Sequence, residues 1–225
     1  MVKHYTGVEL DKSESRTDWT KRPLTQKQLD YAGADVDYLF KIYPKLHQEL
    51  EDSGWMKAAE QESESMIEKK FTAIDVDSLY RNVKFSWRLG PKQLSLLKSL
   101  ATWRYQQAQK RDLPIGFVAK DHTLIGLAKH NPKSTAAMLQ IEGVEMLDVK
   151  HKGKAMLTVL KHAYEIEPDD YPEKIDRLDE YPGYKQAFKN VKAALVKLAE
   201  QHKLSIENLA SKKQINQFLS WHYKI

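Results

Sequence analysis

The sequence predicts an all-α chain. Its apolar residues recur at helical intervals through most segments. Those segments are bounded by helix-starting and helix-ending chemistry, with capping-box spacings and a proline at a first helical position. A length of 225 residues with 41% hydrophobic content then allows one large domain or two to three small ones.

The elements follow in chain order. Lys21-Arg22-Pro23-Leu24-Thr25 leads into a helix in which Thr25 and Gln28 have capping-box spacing. Leu29, Ala32, Val36, Leu39 and Tyr43 then recur at helical intervals, and Pro44 is expected to kink this helix or end its first half. Leu46 and Leu50 carry the stripe to Asp52-Ser53-Gly54. Residues 55–70 read as a charged surface helix and 71–85 show few periodic features, so 51–83 is expected to connect two regions.

Gly90-Pro91 opens the next helix, since proline there loses no needed hydrogen bond. Leu94, Leu97, Ala101, Tyr105 and Ala108 form its apolar face, with Trp103 and Arg104 at the flanks and Pro114 past its end. Asp121 is expected to cap a short helix through Leu124, Ile125 and Ala128, stopped by Asn131-Pro132. Ser134 caps another through Met138 and Leu139, ending near Gly143. A basic loop, Lys150-His151-Lys152-Gly153, precedes a last helix through Met156, Val159, Leu160 and Ala163. Residues 84–165 thus form one helical domain. An acidic linker spans 166–183, and Pro182-Gly183 opens a second unit over 184–225, with helices presenting Phe188, Val191, Leu195 and Leu198, starting near Ser205, and capped by Ser211 with Gln214.

The two units repeat. At an offset of 91, Leu97, Leu100, Ala108, Leu113, Ile115, Val118, Ala119, Leu124 and Leu127 fall on Phe188, Val191, Ala199, Leu204, Ile206, Leu209, Ala210, Ile215 and Phe218 without a gap. The second copy has no counterpart of Met138 or Val159 and is expected to be incomplete, lacking the part that covers its core.

Composition narrows the function classes. No cysteine is present, which removes disulfide partners, thiolate metal sites and cysteine nucleophiles, and fits a reducing cytoplasm. No apolar run approaches the roughly 18 to 20 residues of a membrane span, and the start of the chain has neither an apolar leader core nor an amphipathic one. The net charge of +5 is segregated: residues 1–83 carry −4, 84–164 carry +9, 165–180 carry −6 and 181–225 carry +6. Such basic blocks attract polyanions, although lysine-rich helices also present solvated faces.

Tyr31 and Asp35 in YAGADVDYL stand four apart on one helix face. A carboxylate that holds metal beside a phenol that orients or deprotonates water suits phosphodiester hydrolysis by divalent ions. Taken alone, such a pair is more often a packing tyrosine with a solvated or lysine-paired aspartate. The surrounding run, Leu10-Asp11-Lys12-Ser13-Glu14-Ser15-Arg16-Thr17-Asp18-Trp19, Arg22-Pro23-Leu24 and Gln28-Leu29-Asp30-Tyr31-Ala32 with Asp35-Val36, closely resembles the end of the exonuclease domain of bacterial ribonuclease D.

That resemblance covers essentially the whole chain. It implies the end of an α/β exonuclease domain in residues 1–50, followed by helical HRDC-type bundles, the domain named for helicases and ribonuclease D. It further implies a 3′ to 5′ exoribonuclease acting on tRNA precursors. Tyr31 matches the water-positioning tyrosine of the third exonuclease motif, and Asp35 matches the last metal-binding aspartate, for magnesium or manganese in the complete enzyme. The family's site also needs a D-x-E motif and a further aspartate earlier in the chain, and no aspartate here is followed two positions later by glutamate. A hard divalent ion wants about six oxygen ligands. The chain is therefore expected to be a fragment that begins at an internal methionine, binds no metal by itself and is inactive alone.

Nucleic-acid contacts are expected from Lys150, Lys152 and Lys154 around Gly153 at a helix N-terminus, where backbone amides favour a phosphate, with a solvated loop as the alternative. Lys110 and Arg111 add to these in the first unit, and Lys185, Lys189, Lys192, Lys212 and Lys213 in the second. His151 reads as a surface residue, and Trp103 and Trp221 as packing anchors. A non-catalytic HRDC module that contacts nucleic acid or protein is the alternative function.

Overall fold

The computed structural model describes residues 1–223; the last two residues of the unit expected over 184–225 lie outside the described residues. Among the described residues there is no strand, and the chain divides into two compact units, 1–74 and 75–225.

In the first unit, α1 (Val2–Thr6) lies against α2 (Gln26–Asp52), and the Tyr5 hydroxyl donates to the Glu49 carboxylate at 2.6 Å. The expected capping box is present: the Gln28 amide N–H donates to Thr25 Oγ1 at 3.2 Å and the Thr25 N–H to Gln28 Oε1 at 3.0 Å. Pro44 does not end α2, which continues as one helix of 27 residues. Of its side chains only Gln28 and Ile42 are buried, while Leu29, Val36, Leu39, Phe40 and Tyr43 are exposed. The charged helix α3 (Met56–Phe71) follows and buries none of its residues.

The second unit is built around α4 (Pro91–Arg111), against which pack a 3₁₀ segment (Val76–Asn82), α5 (Ile115–Val118), α6 (Asp121–His130) and later α8 (Met146–Tyr164). Tyr80 and Val83, from the stretch expected to be a connection, are buried in this core, because an aperiodic segment contributes single anchors that no periodicity reveals. Leu94, Leu97 and Leu100 meet Leu124, Leu127, Met138, Met156 and Leu160 there. Ser134 caps α7 (Thr135–Met138) by accepting from the Ala137 N–H at 3.1 Å.

Two expectations are corrected in this core. Arg104 is buried rather than flanking: its Nη1 donates to Asp121 Oδ1 at 2.7 Å and to the Ala119 carbonyl at 3.1 Å. Asp121 does not cap α6, since Lys120 holds the N-cap position and the Asp121 carboxylate accepts from Arg104 and from the Lys84 N–H at 3.1 Å.

A third correction concerns the basic segment. Lys150-His151-Lys152-Gly153 is not a loop, because α8 starts four residues earlier, at Met146. Gly153 marks close packing instead: a Cβ there would stand 3.1 Å from Thr135 Cγ2 and 3.2 Å from Val149 Cγ1, so glycine lets α8 approach α7.

The acidic stretch after α8 is not free. Ile166 and Ile175 pack on the core, and the Arg177 guanidinium lies 3.8 Å from the centre of the Trp87 ring. Beyond it come α9 (Tyr184–Gln201), α10 (Ile206–Leu209) and α11 (Lys212–Tyr223). At the expected offset of 91, α10 repeats α5 and α11 starts opposite the start of α6. Ser211 caps α11 with Gln214, as its spacing predicts. Leu127 is fully buried, whereas its counterpart Phe218 is 53% exposed, and Trp221 is 76% exposed rather than a packing anchor. Trp103 packs on the core as expected.

Candidate active-site and nucleic-acid-binding residues

Tyr31 and Asp35 lie in the first half of α2, whose start is fixed by a polar knot. Gln28 is buried, and its Nε2 donates to Thr17 Oγ1 at 3.1 Å and to the Asp18 carbonyl at 3.3 Å, while its Oε1 accepts from Thr25. One amide thereby closes the helix cap and ties down the preceding loop. Trp19, next to Asp18 in that loop, donates from Nε1 to the Glu14 carbonyl at 3.1 Å and sets its ring 5.8 Å from the Tyr31 ring at 51°. Tyr31 is half-buried against it.

Asp35, one turn on, is exposed and makes no hydrogen bond or ion pair among the described residues. The lysine-paired alternative for this aspartate is thus not realised; the neighbouring Lys41 pairs with Asp37 at 2.6 Å. The pair has the arrangement that positions a phenol and presents a free carboxylate on one helix face. Among the described residues, no group of three histidine, aspartate or glutamate side chains converges. The donor set among the described residues therefore does not by itself fit a divalent-metal centre.

The basic residues fall in helix-local pairs. Lys110 and Arg111 end α4, Lys150 and Lys154 stand four apart on α8, Lys185 and Lys189 four apart on α9, and Lys212 and Lys213 open α11. All eight are exposed, with no ion pair among the described residues. Lys152 differs. Its Nζ donates to Asp148 Oδ1 at 2.6 Å, to the Val118 carbonyl at 2.5 Å and to the Phe117 carbonyl at 3.2 Å. It satisfies carbonyls of α5 and the α8 carboxylate, so its charge is spent inside the fold.

The knot at Gln28 and the tie to Trp19 escaped the sequence reading beyond the capping box, since a side-chain amide bonded 10 and 11 residues back leaves no periodic trace. Lys92, Lys133 and Tyr164 were also missed. Both ammonium groups sit over the Tyr164 ring, at 4.0 and 4.1 Å from its centre.

Comparison with known proteins agrees along the whole chain. A family model described as a 3′–5′ exonuclease matches residues 1–51, the HRDC domain matches 93–160, and the C-terminal HRDC domain of ribonuclease D matches 182–225. Ribonuclease D of Cronobacter turicensis is 41% identical over 225 residues, covering 100% of this chain and 61% of that protein. Ribonuclease D of Escherichia coli is 40% identical over 225 residues, covering 60% of that protein. The crystal structure of Escherichia coli RNase D, described as an exoribonuclease involved in structured RNA processing, superposes with a TM-score of 0.89 over 99% of this chain and 59% of that one. The chain spans about three-fifths of the length of these relatives. With the third-motif helix, the paired helical bundles and this likeness from end to end, the chain belongs to the ribonuclease D family, as the portion that joins the end of the exonuclease domain to its HRDC domains.

Proposed function

We propose that this chain serves a 3′ to 5′ exoribonuclease that trims structured RNA, tRNA precursors among its substrates, in the cytoplasm. The observation that supports it most is the pairing on α2: Tyr31 is held by Trp19 and the Gln28 knot, one turn from an exposed Asp35 that has no partner among the described residues. In the complete site Tyr31 orients the attacking water through its hydroxyl. Asp35 is one oxygen donor, among others that this chain does not carry, for magnesium or manganese. The HRDC units, at residues 84–165 and from 184 onward, grip the RNA through exposed lysines such as Lys150, Lys154, Lys185 and Lys189. With Asp35 as the single motif carboxylate, the 225-residue chain does not hydrolyse RNA by itself.

The test uses a 3′-extended tRNA precursor with magnesium or manganese. The purified chain is expected to leave the 3′ end intact, and metal-dependent trimming by it alone would overturn the inactivity. A chimera in which the first two exonuclease motifs of the Escherichia coli relative precede this chain is expected to trim the precursor. Asp35→Asn in that chimera should lower the rate by at least about a hundredfold. Trimming at an unchanged rate by Asp35→Asn would remove Asp35 from the site.

A further inference from the structure

A groove of about 510 Å³ opens on the first HRDC unit, between the turn Asn131-Pro132-Lys133 and the last turns of α8. Its volume falls within the range of small-ligand sites. Its floor is apolar, with Leu160 and Pro132 buried and Leu157 partly so. Its wall is the exposed ring of Tyr164, and Lys161 and Glu165 stand on the same rim.

A lysine from a distant part of the chain joins Lys133 at the Tyr164 ring. Lys92, in the first turn of α4, and Lys133 each place Nζ about 4 Å from the centre of the Tyr164 ring. The two ammonium nitrogens are therefore no more than about 8 Å apart. A phosphate that accepts a charge-assisted bond of about 2.8 Å from each of two ammonium groups holds their nitrogens roughly 6 to 7 Å apart. Neither lysine forms an ion pair among the described residues. Asn131, which also lines the groove, has a buried Oδ1 with no hydrogen-bond partner among the described residues.

We propose that this groove is a nucleotide subsite for single-stranded RNA, in which Lys92 and Lys133 share one phosphate and the base lies on the apolar floor beside the Tyr164 ring. The inference rests on the reading of the helical units as RNA-binding and names the place where a nucleotide is held. An amphipathic groove suits a nucleotide better than a phosphate alone, because aromatic and aliphatic surface rewards a base while the lysines reward its charge. The Tyr164 hydroxyl already registers the local positive charge: the Lys92 hydrogen bond first, then the charges of Lys92 and Lys133, hold it below the ordinary tyrosine range.

The test measures binding of a fluorescent 12-nucleotide single-stranded RNA to the full chain over a salt series. Lys92→Gln with Lys133→Gln keeps the aliphatic stems and removes both charges. The double variant is expected to bind about tenfold more weakly at low salt, with a log–log salt slope shallower by about 0.7, the loss of one phosphate contact. A second measurement needs no variant: NMR titration of ring-labelled tyrosine, with Tyr164→Phe to assign the signal. Uridine monophosphate should perturb the Tyr164 resonances and raise its titration midpoint, because a bound phosphate neutralises the lysines that hold it down. Inorganic phosphate at the same concentration should do so more weakly, since it leaves the floor uncovered. RNA binding by the wild-type chain that the double variant matches in affinity and slope, or Tyr164 signals unmoved by the nucleotide, overturns the subsite while leaving the RNA-binding reading standing. Failure of the wild-type chain to bind RNA at any salt overturns that reading and this one with it.

Discussion

Asp112 and Lys203, 91 residues apart, take the same left-handed helix-ending conformation, with φ of 49° and 55°. Behind each, the next residue donates to the carbonyl five positions back: Leu113 to Ala108 at 3.0 Å and Leu204 to Ala199 at 2.9 Å. Two amphipathic helices of similar length would not share a cap, a short following helix and the start of the next helix at one constant offset. From the end of α4 to the start of α6, the second unit repeats the backbone of the first.

That shared cap carries a shared cost. A residue with a Cβ in the left-handed region loses about 1–2 kcal/mol relative to its right-handed state, and glycine escapes the penalty. Lys203→Gly is expected to stabilise by about 1 kcal/mol, partly offset by the larger entropy of glycine in the unfolded chain. Asp112→Gly should gain less, because aspartate tolerates this region better than lysine. Urea denaturation of each variant gives the comparison, and a lower midpoint for Lys203→Gly would refute the strain.

Asp121 links acid stability to the core of the first HRDC unit. Burial pushes its carboxyl up, but the Arg104 hydrogen bond, the Lys84 N–H and the charges of both pull it further down, and the net position is below the usual aspartate value. A depressed carboxyl stabilises the fold fully above its unfolded value, about 3.9, and loses that contribution as pH falls through the folded value. Asp121→Ala, which leaves the Arg104 guanidinium buried and unpaired, is expected to cost about 3 kcal/mol at pH 7. The gap between wild type and variant should narrow below pH 4 in denaturation curves followed by helical circular dichroism.

Lys152 and its neighbours separate folding from binding. Lys152→Met removes two hydrogen bonds that hold α5 to α8, together with the ion pair to Asp148 within α8, and is expected to destabilise by about 1–3 kcal/mol. The salt slope of RNA binding should stay unchanged, since that ammonium group is already engaged. Lys150→Gln with Lys154→Gln should do the reverse, leaving the thermal midpoint in place and making the slope shallower by about 1.4.

The helices, their caps and the repeat were legible because each is written in local chemistry. Thr25 with Gln28, Gly90-Pro91, Ser134, and Ser211 with Gln214 all declare their ends within three or four residues. What the sequence hid is tertiary. Arg104 reads as a flanking charge until Asp121, 17 residues on, makes its burial affordable. Gly153 reads as a loop residue until Thr135 and Val149 supply the reason for its missing Cβ. Tyr31 and Asp35 could be read from spacing and family likeness, yet what holds Tyr31 in place is visible only in the folded loop. The Tyr164 groove draws on residues more than 70 positions apart, so no window of sequence contains it.

Gln28 offers the sharpest test of how the candidate catalytic tyrosine is positioned. Its Oε1 closes the helix cap on Thr25 and its Nε2 tethers the loop that carries Trp19. Gln28→Glu keeps the first function, because a glutamate carboxylate accepts the Thr25 N–H as the glutamine oxygen does. It abolishes the second, because a carboxylate cannot donate to Thr17 Oγ1 and repels the Asp18 carbonyl. In the trimming chimera, Gln28→Glu is therefore expected to retain the helix content of the parent while lowering kcat about tenfold with little change in KM, the signature of a displaced group that acts in the transition state. Gln28→Ala should lose both, adding a stability cost of about 1–3 kcal/mol to the same fall in kcat. If Gln28→Glu trims RNA at the parent rate while Gln28→Ala does not, the loop tether is irrelevant to Tyr31 and the cap alone matters.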